Sequence, residues 1–91
     1  MMNQVVLHRK AEKQLKKVPA YIKINFQIWV KDVESNGIIS TRTVPGYHDE
    51  PLKGQRSGQR SIRLSKAYRA IYIEHDGNII IEVIEVNKHE Y

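Results

Sequence analysis

Cysteine is absent from this 91-residue sequence, which excludes disulfides and thiolate metal sites. No apolar run approaches the roughly 20 residues that a membrane span needs. His8-Arg9-Lys10 interrupts the apolar start, so no signal-peptide core is read there, and the expected location is the cytoplasm. Internal repeats, low-complexity tracts, a Gly-rich phosphate loop and a Ser or Cys nucleophile arrangement are missing as well. The four histidines lack close ligand spacing, so neither zinc nor any other cofactor is expected. The most telling absence is local. From Lys53 to Arg69 there are six Lys/Arg and no Asp or Glu.

What is present suffices for one globular domain over residues 1–91. Hydrophobic residues make up 41% of the chain, which argues against disorder. The formal net charge of +5 suggests a polyanionic or acidic partner. Arg9, Lys10, Lys13, Lys16, Lys17, Lys23 and Lys31 have the spacing of an outer helix face. The later cations fall on expected loops and strands, without acidic neighbours.

Asn3 to Leu7 reads as a short edge strand. His8 to Lys17 reads as a helix on the spacing of Ala11, Leu15 and Val18. Pro19 separates it from a second helix, in which Ile22, Phe26, Trp29, Val30 and Val33 form a core-facing stripe. Asn36-Gly37 ends that helix. Residues 38 to 58 contain Pro45, Gly46, Pro51, Gly54 and Gly58 and read mainly as loop. Gln59–Leu64, Ala67–Glu74 and Asn78–Val86 then read as a three-stranded meander, with Asp76-Gly77 as a two-residue hairpin turn. The expected architecture is α+β, with the N-terminal strand and two helices on one face of a mainly antiparallel sheet.

A turn at residues 65–67 sets Leu64 against Tyr68, Ile62 against Ala70 and Arg63 against Arg69. A turn centred on Asp76-Gly77 sets Ala70 against Val83 and Tyr72 against Ile81. One face then carries Ile62, Leu64, Tyr68, Ala70, Tyr72, Ile79, Ile81 and Val83, ready for the helices. The other carries Ser61, Arg63, Ser65, Arg69, Ile71, Glu82 and Ile84. Facing arginines repel, so a compensating anion is expected, either Glu82 or a bound phosphate.

Cleavage of RNA by its own 2′-hydroxyl needs a base, a cation for the charged transition state and an acid for the leaving 5′-oxygen. Glu50, followed by the rigid Pro51, is a candidate base, with His48 and Asp49 as adjacent rivals. Arg63 and Arg69 have the planar fork that matches phosphate oxygens. His89 is a candidate acid because imidazole titrates near neutrality. Tyr91 is suited to stacking on a base or orienting a phosphate. Each also has a plain structural reading: loop carboxylate, surface ion pair, solvated tail. His8 and His75 look incidental.

The succession Glu50-Pro51-Leu52-Lys53, Ser57-Gly58, Ser61-Ile62-Arg63-Leu64, Tyr68-Arg69-Ala70-Ile71-Tyr72 and His89-Glu90-Tyr91 resembles the RelE/ParE superfamily of type II toxin–antitoxin toxins. Within it the pattern is similar to the YoeB-like, ribosome-dependent mRNA interferases. The resemblance implies a RelE-like microbial-RNase fold. It implies Glu50 as general base, Arg69 as transition-state arginine, Arg63 as phosphate binder, Lys53 as a basic neighbour, His89 as acid and Tyr91 as the aromatic that positions mRNA. Glu90 intervenes between His89 and Tyr91, where the YoeB pattern has histidine and aromatic adjacent. The implied partners are a cognate antitoxin, the ribosome and mRNA in its A site, with operator DNA reached only through the antitoxin complex and no membrane. Two other readings stand beside the nuclease: a ParE-like, non-catalytic inhibitor of DNA gyrase, and an inert member of an antitoxin–repressor complex. An acidic, amphipathic antitoxin segment is expected on the basic surface. Ile24 and Ile28 are expected to pack on the first helix, or else to join that contact.

Overall fold

The computed structural model describes residues 3–88. Strand β1 (Gln4–Leu7) leads to α1 (Arg9–Leu15), α2 (Ala20–Asn36) and the one-turn α3 (Ile38–Thr41). A 3-10 turn at Pro45–Tyr47, strand β2 (Glu50–Pro51) and a second 3-10 turn at Gly54–Arg56 follow. β3 (Gln59–Arg63), β4 (Tyr68–His75) and β5 (Ile80–Lys88) complete a five-stranded sheet in the order β1-β5-β4-β3-β2. Only β1 runs parallel to its neighbour, β5. The α+β architecture is as expected, and no described helix is long and apolar enough to cross a membrane.

The helices begin and end where backbone chemistry dictates. His8 is the N-cap of α1, its Nδ1 accepting the Lys10 amide at 3.0 Å, so it is structural rather than incidental. Pro19 sits just before α2, and its carbonyl accepts the Ile22 amide at 3.0 Å. Gly37 ends α2 at φ +84°, its amide reaching Val33 O at 2.8 Å. The Asn3 side chain then ties the start of α3 to the β4–β5 turn, accepting from the Ile38 amide and donating to Asn78 O. Residues 38–41 are therefore helix, not loop. Ile38 and Thr41 are buried there.

The core lies between the helices and one sheet face. Ile22, Phe26, Trp29 and Val33 of α2 meet Ile62, Leu64, Ala70, Tyr72, Ile81, Val83 and Val86. The Trp29 ring sits 5.9 Å from Phe26 and 5.6 Å from Tyr72, centroid to centroid. Ile24 and Ile28 do not pack on α1. They are 55% and 51% exposed and form an outer strip with Tyr21.

The β3–β4 register is as expected: Ile62 opposes Ala70 and Arg63 opposes Arg69. Ser65 Oγ accepts the Ala67 and Tyr68 amides at 3.1 Å, fixing the turn. The β4–β5 register differs. Asp76, Gly77 and Asn78 all take positive φ (53°, 62° and 66°), so the connection spans residues 76–79 and β5 starts at Ile80. Tyr72 then faces Val83, not Ile81, and Ile79 leaves the core face, 36% exposed. Continued unchanged, this register would put Glu85 opposite Ala70 in the core. A bulge at Ile71/Tyr72 prevents that, with Ile84 as the extra residue. Val86 takes the core position opposite Ala70, and Glu85 stands opposite Ile71 on the other face.

Candidate functional site

Two neighbouring rows of side chains on the face away from the helices frame the site. Glu50, Ser61, Ile71 and Glu85 form one, by successive cross-strand pairing. Arg63, Arg69 and Asn87 form the next. Neighbouring strands lie ~4.8 Å apart and same-face residues ~7 Å apart along a strand, so Glu50 is one strand and one row from Arg63, and two strands and one row from Arg69, within the span of these long side chains. A small cleft of about 40 Å³ gathers Glu50, Arg63 and Arg69, together with His48, Ser61 and Lys66. Among the described residues neither Arg63 nor Arg69 enters an ion pair, and Arg69 Nε is buried without a hydrogen-bond partner. Two unpaired guanidinium groups and an exposed carboxylate sharing one cleft suit a bound phosphate and a nearby proton acceptor.

The other expected residues are placed differently. Lys53 is exposed at the start of the second 3-10 turn and does not line the cleft. His89 and Tyr91 lie outside the described residues. Glu82 is not the carboxylate beside the arginines; it bonds His75 Nε2 at 2.9 Å at the hairpin end. Of the rivals to Glu50, His48 lines the cleft with a left-handed backbone (φ 48°). Asp49 does not. Its side chain is 1% exposed and accepts from Arg60 Nε at 2.6 Å and from the Tyr72 hydroxyl at 2.5 Å. Burial and the bond to Asp49 push the Tyr72 hydroxyl far up.

Sequence reasoning missed the cluster around Glu85. Arg56 reaches from the second 3-10 turn across the face, donating to Gln59 Oε1 at 2.8 Å and to Glu85 Oε2 at 2.7 Å. Asn87 Nδ2 donates to the other oxygen at 2.8 Å, and Lys10 Nζ lies 3.8 Å away. Burial alone would push the Glu85 carboxyl up. Hydrogen bonding and charge from Arg56, then Lys10 and Asn87, outweigh it and hold the group below the usual carboxylate range. No sequence signal could have found this cluster, because it depends on the bulge that turns Glu85 onto this face.

A family model described as "ParE toxin of type II toxin-antitoxin system, parDE" matches residues 5–90. No curated protein matches the chain. Among solved structures, YafQ from E. coli superposes with a TM-score of 0.77 at 13% identity, over 96% of this chain and 93% of that one. The archaeal RelE–RelB complex from Pyrococcus horikoshii gives 0.74 at 20% identity, over 97% and 96%. A YoeB/ParE toxin from Agrobacterium tumefaciens gives 0.72 at 18% identity, over 96% and 99%. At such identities the likeness is one of fold.

Proposed function

The chain belongs to the ParE toxin family of type II toxin–antitoxin systems, and from its cleft residues we propose that it is a metal-independent endoribonuclease that cuts mRNA in the ribosomal A site. Glu50 takes the proton of the 2′-hydroxyl, Arg69 and Arg63 stabilise the charged phosphorane-like transition state, and His89 protonates the leaving 5′-oxygen. Lys53 and Tyr91 help to position the mRNA. The products are a 2′,3′-cyclic phosphate and a 5′-hydroxyl. The observation that carries this reading is the shared cleft of Glu50, Arg63 and Arg69 on the face away from the helices. The end of β5 lies beside the cleft, where Asn87 pairs with Arg69 and Lys88 with Tyr68, which supports a role for the residue that follows it in sequence, His89. Three groups and no metal leave most substrate positioning to the ribosome, so free RNA is a poor substrate.

A cognate antitoxin holds the toxin inactive and links it to operator DNA. A groove of about 570 Å³ between β1, α1 and α2 supports an amphipathic, acidic partner segment. Val5, Leu7, Leu15, Phe26 and Val30 line it, and at its rim Lys16, Lys23 and Lys31 outnumber Glu12 and Glu34.

Single-turnover cleavage on programmed ribosomes tests the proposal. Glu50→Ala, Arg69→Ala and His89→Ala should each lose about 10²-fold or more in rate while remaining folded; full activity in all three sinks the mechanism. The family match favours a second reading, a ParE-like inhibitor of DNA gyrase without catalysis. Blocked supercoiling with ribosomal mRNA left intact would establish that reading instead.

A further inference from the structure

We propose that Asp49 is a positioning residue for Glu50: its buried carboxylate pins the start of β2 to the core side of the sheet and thereby aims Glu50 into the cleft. The inference rests on Glu50 being the base. It begins with a mechanical weakness. β2 has two residues, paired Glu50 to Ser61 and Pro51 to Arg60, and Pro51 has no amide to donate. So short a strand cannot hold its own orientation. Immediately before it, His48 takes a left-handed turn. The strand carrying the proposed base needs an anchor from elsewhere.

Asp49 supplies one. In extended chain, successive side chains point to opposite faces, so fixing residue 49 on the core side fixes residue 50 on the cleft side. Burying a carboxylate is costly unless it is paired, and Asp49 is paired from separate elements. Arg60 of β3 donates at 2.6 Å and the fully buried Tyr72 of β4 at 2.5 Å. Arg42, just after α3, brings its Nε to 4.0 Å and donates from Nη2 to Glu74 of β4. Removing one partner strains the whole set. The segment from residue 37 to 46, which has no motif of its own, thus acquires a role: it brings the Arg42 charge within 4.0 Å of Asp49 while the same side chain is bonded to Glu74. The following turn is tied to α2 by the Tyr47 hydroxyl on Asp32.

The test is single-turnover mRNA cleavage on programmed ribosomes with Asp49→Asn and Tyr72→Phe. Displacing a catalytic group by ~1 Å costs of order 10²-fold. The expected result is a loss of about tenfold or more in the maximal rate, with the half-saturating ribosome concentration unchanged. In a Glu50→Gln background the same substitutions should cause no further loss, because Asp49 acts through Glu50. Losses that multiply in the double variants, or a wild-type rate in both single variants, overturn the inference. If Asp49→Asn fails to fold, Tyr72→Phe keeps the core volume and carries the same reading. A second readout is side-chain order at Glu50, from ¹³C relaxation in the toxin alone; Asp49→Asn should lower it, and unchanged order overturns the inference. Should Glu50→Gln keep the wild-type rate, the base assignment falls, and the order measurement still decides whether Asp49 orients Glu50.

Discussion

Replacing Glu85 by Gln keeps the side chain's shape and one acceptor but removes its charge. The side chain is 11% exposed, and its main partner, Arg56, is 39% exposed. The pair therefore falls between a surface bridge, worth about 0–1 kcal/mol, and a buried one, whose disruption costs about 3–5 kcal/mol. A loss of about 1.5 kcal/mol is expected at pH 7, or roughly 8 °C in melting temperature for a domain of this size. The pH dependence is more diagnostic than the size. Because Glu85 is held below its ordinary value of 4.5 in the folded chain, its contribution is complete above that value. It is lost as pH falls through the folded pKa. Urea titrations of the two proteins should show a constant gap from pH 5 to 8 that closes below about 4.5. A gap that persists or widens in acid, or none at pH 7, would refute the idea that Arg56, Lys10 and Asn87 outweigh the burial of this carboxylate.

Trp29→Ala should cost about 3–5 kcal/mol in chemical denaturation, because it empties a fully buried site between Phe26 and Tyr72. Gly37→Ala should cost more than about 1 kcal/mol: φ is +84°, and the added Cβ would stand 3.3 Å from Asn3 Oδ1. At alkaline pH the raised hydroxyl of Tyr72 works in the opposite direction from Glu85. Its stabilisation is present below the unfolded phenol value of about 10 and is lost as pH rises toward the folded one, so Tyr72→Phe should flatten the alkaline limb of the stability curve. Ile24→Ser with Ile28→Ser should shift stability by no more than about 0.5 kcal/mol each, since both side chains are half exposed.

The parts legible in the sequence were those governed by local periodicity. The α2 stripe from Ile22 to Val33 has helical spacing and is buried where expected. Arg63 faces Arg69 because a turn at residues 65–67 leaves little freedom, and Ser65 locks it with its own hydroxyl. Legibility failed where three adjacent residues share a tolerance for positive φ. Asp76-Gly77 signals a tight hairpin, but Asn78 extends it, and a change in turn length displaces every later pairing. The bulge at Ile84 could not be foreseen from alternation, since it exists to keep Glu85 out of the core after that displacement. Asp49 stood beside Glu50 as a rival carboxylate, and nothing in its residue type told how differently the two are placed. The sheet sends them to opposite faces, burying one against Arg60 and Tyr72 and leaving the other in the cleft.

The parallel pairing of β1 with β5 joins residues 4–7 to residues 80–83, and Asn3 clasps both Ile38 and Asn78. Of the five strands, the one made earliest therefore waits for the one made latest. Contacts so distant in sequence form slowly and late. Until β5 has emerged, β1 has no neighbour, and the row of Arg63, Arg69 and Asn87 is incomplete. A growing polypeptide of this kind can pair β2, β3 and β4 early, but the sheet closes, and β1 joins it, only when β5 docks between β1 and β4.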